Sequence, residues 1–127
     1  MRGEAISLPE ERKVISRLGQ LERFNEIIER YGTHGWRLAR ALLRPETRAE
    51  INLTGTPLAE VTLEEAPMDA LWFARPSHAG REAWELRLVG DTPYALFETF
   101  EADEAEEDRE EVRREMEARL RDYAARA

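Results

Sequence analysis

Between Pro67 and Glu101 the chain carries three runs of alternating apolar residues, divided by two sets of breakers. The first run, Asp69 to Arg75, contains Leu71-Trp72-Phe73; the second is Arg81 to Val89 and the third Thr92 to Phe100. Pro76-Ser77-His78-Ala79-Gly80 and Gly90-Asp91 separate them. A two-residue period with turn residues at the joints specifies consecutive antiparallel strands, so a fold for this chain must accommodate a three-stranded meander. Gly-Asp between such runs reads as a two-residue hairpin turn. That turn sets Val89 opposite Thr92. It gathers Trp84, Leu86, Leu88, Ala95 and Phe97 on one face, with Ala70 and Trp72 added across the 76–80 loop. The other face then holds Leu71, Phe73, Val89, Tyr94, Leu96 and Phe100, mixed with Glu85, Arg87 and Glu98.

Helical patterns lie on both sides. Ser7-Leu8-Pro9-Glu10 fits a capping box, and Val14, Leu18, Leu21, Phe24, Ile28 and Tyr31 follow at spacings of three and four. The spacing predicts a helix over 8–31, with Gly32 as its C′ stop. Asp103-Glu104-Ala105-Glu106 begins a second helix, to about 126, whose apolar stripe of Val112, Met116, Leu120 and Tyr123 is narrow. Between the first helix and the meander, Trp36 to Leu43 reads as a strand, with a helix as the alternative. Ile51 and Leu53 alternate, Thr54-Gly55-Thr56-Pro57 turns, and Ala59, Val61 and Leu63 alternate again, which suggests a hairpin. The expected fold is α+β: one domain over 1–127, an antiparallel sheet of four or five strands flanked by an N-terminal and a C-terminal helix, and a loose tail at 1–6.

With 127 residues the chain can bury a core unaided, and with no Cys it has neither a disulfide framework nor a cysteine nucleophile. No apolar run approaches the roughly 18–20 residues of a membrane span, and the start lacks a signal-peptide pattern. The expected setting is cytoplasmic. Net charge is −8, of which the run 101–111 carries eight acids and one Arg, or −7. This run reads as an acidic, solvated helix start; a basic protein partner is its functional alternative. Among 19 basic residues only Lys13 is lysine, and no basic cluster offsets the acids, so nucleic-acid binding is disfavoured.

Chemical motifs are sparse. His34 and His78 sit in separate turns without a third ligand, so neither a metal nor a cofactor is expected. No nucleophile elbow or phosphate-binding glycine motif occurs. The strongest ligand candidate is an apolar interior lined by Trp72 and Trp84, with Arg75, Arg81 and His78 around the 76–80 loop as anion-holding groups. If both helices cover the Trp face, Leu71, Phe73, Tyr94, Leu96 and Phe100 are left exposed and symmetric pairing of two copies follows. One helix on each face gives a monomer instead. The preferred reading is a non-enzymatic protein-interaction or adaptor domain, homodimeric. The alternative is a small-ligand-binding domain with a Trp-lined pocket between sheet and helix, and an enzyme ranks third.

Overall fold

The computed structural model describes residues 9–54 and 61–126. The tail at 1–6, the cap at Ser7 and the turn at 55–57 with Ala59 lie outside the described residues. The fold is α+β. Helix α1 (Pro9–Thr33) leads into strand β1 (Arg37–Leu43), helix α2 (Pro45–Thr54) and strand β2 (Thr62–Glu65). Strands β3 (Ala70–Pro76), β4 (Glu82–Leu88) and β5 (Tyr94–Phe100) follow, and helix α3 (Glu106–Arg126) ends the chain. The five strands form one sheet in the order β2-β1-β3-β4-β5. The meander forms as its alternation implies, and 37–43 is a strand. The sheet is mixed, because β1 and β2 run parallel.

That parallel pair replaces the expected 51–53/59–63 hairpin. Pro45 ends β1, but it is also an ideal first helical residue, and α2 starts on it. Thr47 and Ile51, one turn apart, are both buried, whereas Leu53 is 84% exposed. The Ile51/Leu53 alternation was therefore a coincidence of a helix that buries only one of the two. Parallel strands need a crossover, and α2 supplies it.

Helices cover both faces. Phe24 and Leu21 of α1 and Ile51 of α2 pack with Ala41, Leu43, Leu71, Phe73 and Val89 on one side. Met116 and Leu120 of α3 pack with Leu42, Trp72, Trp84, Leu86 and Phe100 on the other. The expectation that both helices share the Trp face is thus corrected: α1 covers the face that was to be left open.

The β4–β5 register also differs from expectation. Leu88 pairs with Tyr94 and Glu82 with Phe100, so the link is the five residues 89–93 rather than Gly90-Asp91 alone. Val89 is held elsewhere: its N–H donates to the Asp69 carbonyl at 2.9 Å and its side chain enters the α1-side core. Pro93 has no N–H to give to a ladder. A one-residue slip turns every side chain over. Tyr94, Leu96 and Phe100 face α3, and Ala95 and Phe97 face the α1 side.

Candidate functional site

The end of α1 places the first element of the site. Trp36 N–H donates to the Tyr31 carbonyl and Gly35 N–H to the Gly32 carbonyl, both at 3.1 Å, and Gly35 has φ +85°. This is a Schellman ending with Gly35 as C′, three residues beyond the expected Gly32. Such endings bring the residue after the glycine against the last turn. Here the Trp36 ring meets Tyr31 edge-on at 6.1 Å. Tyr31 in turn stacks on Phe73 at 4.1 Å, and its hydroxyl donates to Glu85. Burial, reinforced by the Glu85 carboxylate, pushes the Tyr31 phenol well above its ordinary pKa.

Trp36 partitions two clefts. One, of about 220 Å³, is lined by Arg30, Tyr31, His34, Trp36 and Glu85. The other, about 550 Å³ and open, has Arg75, His78 and Phe97 among its walls. The Arg75 guanidinium lies 4.4 Å from the Trp36 ring centre and donates to the His34 carbonyl at 2.8 Å. Phe97 stands edge-on to Trp36 at 6.2 Å and is 57% exposed. The α1-side core takes in β1 and β3 but not Ala95 or Phe97 of β5, both exposed, so this sheet face is open along β5.

The expected ligand set is divided. Trp72 and Trp84 do meet, edge-on at 5.8 Å, but on the α3 side, across the sheet from Arg75. Their interior is filled by the chain itself. Arg113 of α3, 1% exposed, lies 4.0 Å from the Trp84 ring centre and 5.3 Å from that of Phe100. The indole N–H of Trp72 donates to Glu117 at 2.9 Å and that of Trp84 to Glu82 at 2.8 Å. Arg81 is engaged by Glu101 through both carboxylate oxygens at 3.1 Å. Arg75 and His78 share a cleft.

The expected exposed set is covered. Leu71 and Phe73 are buried beneath α1, and Phe100 is buried on the α3 side. Leu96 is half-buried there, and Tyr94 stacks on Tyr123 at 3.7 Å. Sequence reasoning placed Phe97 in the core and gave Trp36 no role. Pro93, which has no N–H for a ladder, together with Tyr94, Leu96 and Phe100 at alternate positions, was the signal that could have shifted the register.

Most of the acidic run is exposed, while Glu101, Glu106 and Glu110 pair with arginines. Helix α3 begins at Glu106, later than the expected Asp103 cap, and Glu104 folds back to accept the Glu101 N–H at 3.1 Å. Arg109 donates to the Glu101 and Glu104 carbonyls and to Glu82. Arg113 donates to Glu106 and Glu110 at 2.8 Å each, and Arg40 of β1 grips both Glu110 oxygens at 3.1 and 2.8 Å. The Arg40 hydrogen bonds, with Arg113 behind them, hold the Glu110 carboxyl at about 2 against the opposing pull of burial.

Glu110 is thus tied to the sheet, whereas Glu107 is exposed. Glu110→Gln is expected to cost about 1–2 kcal/mol near neutral pH, after allowance for partial exposure, and Glu107→Gln less than about 0.5 kcal/mol. A folded-state pKa below the unfolded one stabilises fully above the unfolded value, here 4.5. That contribution fades as pH falls toward 2. Urea titrations of both variants from about pH 7 to about pH 3 should show the Glu110 difference shrinking with acid.

Among the described residues no group of three or more His, Cys, Asp or Glu side chains is placed to hold a metal ion, and no helix is long and apolar enough to cross a membrane. A scan against protein-family models, a search of curated proteins and a search of solved structures each returned no match.

Proposed function

We propose that this chain is a non-enzymatic protein-interaction domain that meets its partner through the open β5 margin of the sheet face beside α1, centred on Phe97. The observation that carries this reading is a large aromatic residue, 57% exposed, on a rigid strand, flanked by Trp36 and Arg75. Interface centres are enriched in Trp, Tyr, Phe and Arg, and a few such residues supply most of the binding energy. Rigidity adds to the effect, because Trp36 is pinned by the helix ending and by Arg75, so little side-chain entropy is lost on contact. The small-ligand alternative is weakened by Arg113 of α3, which is buried against the Trp84 and Phe100 rings.

Replacing Phe97 with a photoreactive benzoyl-phenylalanine, in the cells that make the protein, tests this. A defined adduct is expected, its partner peptide identified by mass spectrometry, with none from the same probe at exposed Asn25 on α1. Truncation by Phe97→Ala should then weaken the complex by about 2 kcal/mol or more. Equal labelling at positions 97 and 25 would reject the surface.

A further inference from the structure

We infer that the partner of this surface is a second copy of the chain, joined edge to edge through β5 in antiparallel register centred on Phe97. The inference rests on the interaction reading above. It starts from the contrast between the two edges of the sheet. The β2 edge is four residues long, carries Glu64 and Glu65, and has Arg114 of α3 reaching Glu64 at 3.4 Å. Short length and charge are the usual means by which proteins keep an edge from pairing.

The β5 edge is less protected. It is seven residues, Tyr94-Ala95-Leu96-Phe97-Glu98-Thr99-Phe100, with one charge, no proline and no bulge in its pairing with β4. Among the described residues its backbone makes no hydrogen bond outside that ladder. A long, regular edge with a single charge is a template for another strand.

The sequence of β5 can face its own copy when Phe97 is the centre. With Phe97 opposite its own copy, Ala95 faces Thr99, Leu96 faces Glu98 and Tyr94 faces Phe100. No like charges are opposed, whereas a register centred on Glu98 would set that carboxylate against itself. A two-fold axis normal to the sheet keeps faces together, so α3 stays on one side in both copies. On the other side a row of four rings forms, Trp36 and Phe97 of each copy meeting at the axis. Phe97 is then buried by the same operation that satisfies the strand edge. One edge of about 24 Å and one aromatic row make an interface below the standard size, so association in the micromolar range is expected. Each copy carries −8, so added salt should tighten it.

The test is sedimentation equilibrium of the full chain over a hundredfold concentration series, with cysteine variants for register. The mass should rise from 14.7 kDa toward twice that value, and Phe97→Lys, which sets like charges face to face at the axis, should hold it at the monomer. The chain has no Cys, so introduced thiols report cleanly. Phe97→Cys should form a disulfide dimer under mild oxidation. Thr99→Cys should not pair with itself, since those positions lie about 14 Å apart along the edge. A mixture of Ala95→Cys and Thr99→Cys should form the mixed dimer. A monomer mass throughout would overturn the inference. If Phe97 adducts with a different protein appear in that case, the interaction reading survives it; if none appear, both fall. A dimer that Phe97→Lys leaves intact, or one that cross-links through Thr99→Cys alone, would also overturn it.

Discussion

Asp69→Ala is expected to cost about 3–5 kcal/mol, a large share of the 5–15 kcal/mol that holds a domain of this size. Asp69 is 3% exposed, at the head of β3. Its Oδ2 accepts from Gln20 of α1 at 2.9 Å, the Thr47 hydroxyl of α2 at 2.7 Å and Arg44 Nε at 3.3 Å. Its Oδ1 accepts the Arg44 backbone N–H at 2.8 Å. One carboxylate thereby ties α1, the start of α2 and the sheet, and it sits at the end of α2 where the helix dipole favours negative charge. Truncation leaves four donors aimed at an empty site, one of them the buried Thr47 hydroxyl, and each unsatisfied buried group costs about 1–3 kcal/mol. Asp69→Asn keeps the shape but must turn an amide N–H₂ toward at least one donor, so a smaller loss of about 2 kcal/mol is expected. Urea unfolding of the two variants decides the matter; a loss below about 1 kcal/mol for Asp69→Ala would show that the donors find other partners.

What was legible in the sequence follows from what each signal depends on. The terminal helices and the meander rest on local periodicity, and their residues reveal it over several turns or pleats. The 37–43 strand was visible from its breakers, Gly35 and Pro45. Helix α2 was not, because Ile51 and Leu53 mimic a strand and the decisive partner, Asp69, lies far away in sequence. The β5 register was not legible either. Gly90-Asp91 supports a tight turn on its own, and the longer link is fixed by distant partners: Val89 bonds Asp69 and Gln20, and Asp91 bonds Arg23. That one-residue slip carries the candidate site with it, since it takes Phe97 out of the core and sends Tyr94, Leu96 and Phe100 beneath α3. Helix α3 hid its buried face for a different reason. Arg113, Glu117 and Leu120 share a stripe, but two of the three are charged, and it is Trp72, Trp84 and Phe100 on the sheet that give those charges a partner or cover there.

Arg113→Ala is expected to lose about 3–5 kcal/mol, and Arg113→Met less than about 1.5 kcal/mol. The difference follows from what the side chain touches. Its guanidinium spans Trp84 and Phe100, so truncation to Ala opens a cavity between two large rings at the centre of the α3 side. Its ion pairs are less demanding. Glu106 has a side chain 70% exposed and returns to water, and Glu110 keeps both hydrogen bonds from Arg40. No carboxylate is stranded in the core. The buried Nε of Arg113 has no hydrogen-bond partner, which is a standing cost that an apolar side chain removes. Methionine fills most of the same volume and packs well against aromatic rings. Packing and the cation–ring contact therefore outweigh the salt bridges, and Arg113→Lys, which keeps the charge but loses the flat stacking surface, falls between the two at about 2 kcal/mol. Equilibrium unfolding followed by tryptophan fluorescence reads all three, since Trp84 lies against the substituted group. If Met costs as much as Ala, charge pairing rather than packing holds α3 to the sheet. The Glu110→Gln variant should then lose several kcal/mol as well, instead of the modest amount expected for a carboxylate at the surface edge of the network.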